Sequence, residues 1–546
     1  MSATIAPPDT LASRKARQLF DANLAVLATT QPETARLLGE IIENQLTWVF
    51  ARDGSLTARD ECGRWWSGTS LPLRVGRTLL KTLELNCMVG CLLSPTSCGQ
   101  IRAAMEKLAP WQSLLIVLPD ATDAWVTLHC DDFAAELTAA RLWLACGEDW
   151  ARSLAEILKA NPGLCLPQQY IRTALLSETD LATISGPAND VISIETARRA
   201  LAIAEHRDRW QAPERIERTC VVTSSRFALW NLADSALAGV FDKEGDNRVL
   251  FDKDSPKSAS PLALAMTMEH CGAMVAADLF RSDLAGVVSN DAPWITWVTQ
   301  ARVGAFDAAA AKDRLLLADP EWLDAAKDAG WPADRLDIAA WPSLEVDTPV
   351  SRGLPIAMIA DADLSAPPEC LNKFSSQLVL WEQIAIELLR DPLVLGPDID
   401  AYLTSRMNRL DMDGEKIDRD LFQRQLILPA WRRGIVRLLN HSGLSVVVFG
   451  SGWDKSDEFK PIWRGEIESI DDLTRAVSTA AALIYPSPAV HAHAIDSFNR
   501  PILRPARSSE QMIRQARNLL AGRNVPPTGG QAGLSAGLIW SIIRGS

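Results

Sequence analysis

Six histidines serve 546 residues, and two of them, His491 and His493, stand two apart in the stretch AVHAHAIDSFNRPIL, residues 489–503. Asp496 follows closely. Three chemistries fit such a group: a metal site, hydrogen bonding from imidazole to a substrate or phosphate, or an ordinary loop. A metal site needs at least a third ligand, and no neighbour supplies one at suitable spacing, so no metal is expected. Gly450-Ser451-Gly452 follows the apolar run LSVVVF. Glycines there can bring backbone close to a ligand, or simply make a strand-to-loop turn. Ser225 and Arg226 follow the run TCVVTS, and Arg281 stands in ADLFRSD. An arginine fork can hold phosphate or a carboxylated sugar by two parallel hydrogen bonds, or form a surface ion pair.

These residues need elements to position them. Residues 1–205 read as a first α/β block. Helical spacing in RQLFDANLAVLATTQPETARLLGEII precedes a hairpin turning at Asp53-Gly54, and then apolar strands alternate with helices. That order predicts a parallel sheet covered by helices. A polar helix, SIETARRALAIAEHRDRWQAPERIER, leads into a second block, residues 206–345, with the same alternation. SLEVDTPVSRG reads as a hinge before a third block, residues 346–546. Two such blocks joined by a hinge place a ligand in the cleft between them, beside the carboxyl ends of their strands.

The totals set limits. A chain this long implies about three domains. With 47% hydrophobic and 23% charged residues it has the make-up of a soluble globular protein. A net charge of -13 argues against nucleic acid as a partner. The longest apolar runs are strand length, so no membrane span is expected. The first twenty residues lack a signal-peptide pattern. The ten scattered cysteines read as reduced thiols, and a cytoplasmic location is expected. The nineteen tryptophans, against three tyrosines, read as core packing, with some available to line a pocket.

Several motifs then carry a resemblance. VVTSSRFALWNLADSALAG, DAPWITWVTQ and VVVFGSGWDKSDEFKPIWRGEIESIDDLTRAVSTAAALIYPSP together resemble bacterial spore-coat-type glycosyltransferase-like proteins of the GT-B fold, over about residues 216–522. DANLAVLATTQPETARLL, FARDGSLTA and EDWARSLAEIL resemble the amino-terminal domain of motility accessory factors, proteins implicated in glycosylating flagellin. The implied fold is α/β: two tandem Rossmann-like domains preceded by a further α/β domain. The implied activity is metal-independent, hexosyltransferase-type transfer from a nucleotide sugar, a co-substrate with no separate cofactor. The acceptor would be a protein such as flagellin or a cell-surface glycan.

The resemblance also distributes roles. Ser225, Arg226, Gln300, His493 and Asp496 form the implied catalytic set. Gly450, Ser451, Gly452, Gly465, Glu466, His491, Asn499, Arg500 and Arg281 form the implied substrate-binding set, with Gly465 and Glu466 beside the nucleotide base. Two departures stand out. Ala494 occupies the position of the customary sugar-binding acid, with Asn499 where glycine is common, and Gln300 stands where relatives carry an acid. A non-catalytic relative that binds a nucleotide, sugar or partner protein is therefore the second reading. Ser94, Pro95 and Ser97 replace a glycine-rich turn in the first block, which disfavours a methyltransferase.

Overall fold

The computed structural model describes residues 10–41, 46–85, 87–172, 177–211, 218–224, 232–241, 248–300, 302–342, 353–364, 366–368, 371, 374–412, 417–488, 495, 498, 500–521, 534–535 and 539. Two helices, Leu11–Thr30 and Pro32–Gly39, open the fold. Thr10 caps the first through its hydroxyl, which accepts from Ser13 N at 3.1 Å. An antiparallel hairpin follows, β1 (Thr47–Phe50) and β2 (Leu56–Arg59). Its turn uses Gly54 at φ 83° and the Asp53 carboxylate, which accepts from Ser55 N.

The first sheet holds β3 (Val89–Leu93), β4 (Ser113–Leu118), β5 (Leu142–Cys146) and β6 (Gln169–Ile171), ordered β5-β4-β3-β6 and all parallel. Its first three strands are buried at every residue, which is why they read as unbroken apolar runs. The helix Glu178–Arg209 then runs for 32 residues, about 48 Å. Arg199 anchors it to the first block, donating to Leu158 O at 2.7 Å while pairing with Glu195 on its own helix.

Six parallel strands form the second sheet: β7 (Thr219–Thr223), β8 (Arg248–Asp252), β9 (Ala273–Ala277), β10 (Trp294–Val298), β11 (Arg314–Leu317) and β12 (Leu336–Ile338). Their order is β12-β11-β10-β9-β7-β8. The third sheet is β13 (Ile356–Ile359), β14 (Val446–Phe449), β15 (Ala482–Ile484) and β16 (Ile502–Leu503), ordered β14-β13-β15-β16 and parallel. In the second and third sheets the second strand in sequence lies on one side of the first and the third on the other. The winding therefore reverses between β7 and β9, and again between β13 and β15. Each reversal opens a crevice at the carboxyl ends of the strands, where such sheets bind ligands.

The α/β expectation holds. The two sheets also meet. Leu232, in the first turn after the β7 loop, shares a buried cluster with Tyr485 at the end of β15, and Trp341 beyond β12 packs against the same cluster. Leu534 and Ile539, near the chain end, are buried in the second-sheet core. No helix among the described residues is long and apolar enough to cross a membrane.

Candidate functional site

The carboxyl edge of the second sheet collects acids. β9 ends in a buried apolar run, and the next residue, Asp278, adopts φ 48° in the left-handed region, which aspartate tolerates better than most side chains. That turn swings its carboxylate toward the end of β10. One oxygen accepts Thr299 N at 2.7 Å, and the other accepts the Thr299 hydroxyl at 2.5 Å and the Gln300 amide at 3.3 Å. Burial pushes the Asp278 pKa up, while the Thr299 bonds and the nearby Lys253 charge pull it partly back. Beside it, Lys253 pairs with Asp234 at 2.7 Å, the latter only 1% exposed in the helix Leu232–Phe241. The Ser224 hydroxyl bonds Asp254 at the same edge.

The carboxyl edge of the third sheet collects cations. Arg432 and Arg433 lie near the start of the helix Leu428–His441. Because that helix leads down into β14, its start stands at the carboxyl edge. Arg432 donates to Asp361 O at 2.6 Å and Pro486 O at 2.9 Å, and Arg433 to Ala362 O at 2.9 Å and Gly452 O at 2.8 Å. Arg504 lies over the Tyr485 ring at 4.4 Å. The Asp361 carboxylate accepts Ser451 N and the Ser451 hydroxyl, each at 2.9 Å.

The glycines of this edge serve two different needs. A Cβ on Gly450 would lie 2.6 Å from Ala360 O, and one on Gly452 would lie 2.4 Å from Asp363 Cα. Both are glycine because the β14 loop packs against the chain leaving β13. At Gly465, φ is 129° and nothing lies within 4 Å of a Cβ, so the backbone there faces open space. Gly465 O accepts Gly450 N at 3.0 Å, and Glu466 is exposed beside it.

The remaining expected residues scatter. Arg281 is neither a free phosphate ligand nor a surface ion pair. It is buried, bound to both oxygens of Asp313 at 2.6 and 2.7 Å, and donates to Ser289 O and Ala292 O. It borders a cavity of about 620 Å³ formed with the end of the long helix, on the side from which β10 and β11 start. Arg500 is also buried, with Nε 3.3 Å from Val477 O, at the beginning of β16 and so at the opposite end of the sheet from the arginine edge. Gln300 is exposed and, among the described residues, joins the site through Asp278. Ser225, Arg226, His491, His493, Asp496 and Asn499 lie outside the described residues. Sequence reasoning missed Asp278, Arg432 and Arg433. The acid closing the run AMVAAD was the available signal for the first, and two arginines between Trp431 and Gly434 for the others.

No family model matches the sequence, and no curated protein matches it. Among solved structures, the chain is similar to the MAf glycosyltransferase from Magnetospirillum magneticum AMB-1. The two share 12% identity over 93% of this chain and 78% of that one, with a TM-score of 0.26. A score that low carries no argument about fold or site.

Proposed function

We propose that the protein is a glycosyltransferase of GT-B architecture. A nucleotide sugar binds at the third-sheet edge and an acceptor hydroxyl, on a protein such as flagellin or a glycan, at the second. The observation that carries this reading is Asp278, a half-buried carboxylate with a raised pKa beside Gln300. Position 300 is where the group resembled by the sequence carries an acid, so the base has moved one strand over. A base serves best when its pKa approaches the working pH, and burial moves Asp278 in that direction.

The acceptor oxygen attacks the anomeric carbon, and its proton passes to Asp278. The bond between that carbon and the phosphate oxygen breaks, and the nucleotide leaves with the electron pair. The arginine edge favours that departure, because negative charge develops on the phosphate. The binding-only reading draws on Ala494, and on the Gln300 amide that occupies one oxygen of Asp278.

Thermal-shift screening against nucleotides and nucleotide sugars tests the proposal, since a ligand held only by the folded chain raises the melting temperature. The stabilising nucleotide sugar is then incubated with candidate acceptors, with and without chelator. Transfer that persists with chelator is expected. Loss restored by magnesium or manganese contradicts metal independence, and stabilisation without transfer to any acceptor favours the binding-only reading.

A further inference from the structure

We infer that a second copy of this chain docks on the outer face of the helix Ser375–Arg390, antiparallel to the first about a two-fold axis beside Ile386. This goes beyond the transferase reading and does not rest on it, since none of the residues placed at either carboxyl edge lies on that helix. The helix turns Leu380, Trp381, Ile384 and Leu388 into the third-sheet core. Its inner side is held closely. A Cβ on Gly434 would lie 2.2 Å from Leu388 O, and Arg437 donates to Leu389 O at 3.1 Å. The outer face is thus presented on a fixed support.

That face is apolar where a solvated helix is polar. Ile386 is 68% exposed, and Val379, two turns before it and so on the same side, is exposed as well. Phe374 and Val394 are exposed just beyond the two ends of the helix. Four of the ten large apolar side chains exposed among the described residues therefore fall within 374–394. Scattered singly they would need no explanation, but grouped they mark a surface for association.

The charges decide what covers it. Glu382 and Arg390 are exposed four residues before and after Ile386, and neither side chain has a partner among the described residues. Glu387, by contrast, is bound by Arg406 and Tyr402. Glu382, Ile386 and Arg390 form one row at four-residue spacing, and such rows interdigitate in the commonest class of helix crossing, near -50°. A two-fold axis beside Ile386 reverses the row. Ile386 then meets its own counterpart, and Glu382 meets the partner subunit's Arg390 on both sides of the axis. The apolar contact supplies affinity, and the two ion pairs set direction and register. The long helix Glu178–Arg209 also exposes Ile194 and Leu201, but its flanking charges are already paired, Arg198 with Glu195 and Glu205 with Arg209. It serves as the control.

Sedimentation velocity of the full-length protein over a concentration series tests this. A reversible dimer is expected. Ile386→Glu weakens it by about 100-fold, because the substitution enters the interface twice. Ile194→Glu leaves it within about 2-fold. Glu382→Arg and Arg390→Glu each set like charges against one another and weaken it by about 10-fold. Mixing those two variants restores association as a mixed dimer, because each row then meets its opposite charge. All four positions are exposed, so thermal unfolding of the dilute monomers should match wild type.

Wild type that stays monomeric up to about 100 μM overturns the inference and leaves the face to another occupant. A dimer that Ile386→Glu leaves intact overturns it too, and loss in Ile194→Glu instead moves the contact to the long helix. Charge variants that associate no better mixed than alone overturn the antiparallel docking. None of these outcomes bears on whether the protein transfers a sugar.

Discussion

The carboxyl edges of the second and third sheets share a topology and differ in charge. At the second, the described residues include Asp278 and Asp254, with Lys253 bound to Asp234. At the third, Arg432 and Arg433 hold the strand ends together through carbonyl oxygens instead of carboxylates. The same winding rule applies twice, and on the proposed reading the acidic edge takes a proton and the basic edge holds an anion. Topology gives the location of each crevice, and the residues one or two positions past each strand give its chemistry.

Arg281 marks where that comparison stops. If its role is to hold the loops around β10 and β11, Arg281→Met leaves Asp313 buried and unpaired and lowers stability by about 3–5 kcal/mol. Urea unfolding measures this, and nucleotide affinity of the folded fraction should stay as in wild type. A large loss of affinity with stability intact would return Arg281 to the binding set.

A smaller effect separates the glycines. Gly452→Ala combines φ 83° with a backbone clash against Asp363 and should cost about 2–4 kcal/mol, while Gly465→Ala meets only the strain of φ 129° and should cost about 1–2 kcal/mol. Melting curves of the two variants check the order. Reversal would mean that the open space at Gly465 is filled in the folded protein.

A control outside both edges is His129, stacked between Phe20 and Trp48 with its Nδ1 donating to Trp125 O at 2.8 Å. Burial pushes its pKa down to about 4 from 6.5. The unfolded chain therefore takes up a proton there before the folded one does. Stability from this group is whole above pH 6.5 and is lost as pH falls toward 4, by about 3 kcal/mol at most. Urea midpoints at pH 7 and pH 5 should differ less in His129→Gln than in wild type. An unchanged difference would show that other groups control the acid limb.

The smallest expected effect sharpens the acidic edge itself. Gln300→Glu restores an acid beside Asp278, and like charges should raise the Asp278 pKa further. The acid limb of the transfer rate should then move to higher pH by about one unit. An unmoved limb would mean that Asp278 is not the group titrating.

Much of this architecture was legible because buried strands are continuous apolar runs, as in SLLIVL and SVVVF, and because Asp53-Gly54 has strong turn chemistry. The site was less legible. Gly450 and Gly452 stood out, yet their reason is the chain leaving β13, about ninety residues away in sequence and invisible to local spacing. Asp278 looks like any polar residue after a strand until its backbone angle and Thr299 are known. Arg432 and Arg433 sit on a helix whose periodicity would equally suit a solvated face. Arg281 has the residue type of a phosphate ligand, but its carboxylate partner lies 32 positions on.

The division of labour between the edges is tested most directly by one variant with two readouts, Asp278→Asn. Asparagine keeps the shape and tolerates the positive φ, so the fold should persist. A carboxylate whose folded pKa is raised weakens the fold at neutral pH, so this variant should melt no lower than wild type at pH 7. Nucleotide affinity, set at the other edge, should stay within about 2-fold, while the single-turnover transfer rate falls by about 10²–10⁴. Transfer at the wild-type rate, or parallel losses of affinity and rate, would contradict the assignment of proton and anion to separate edges.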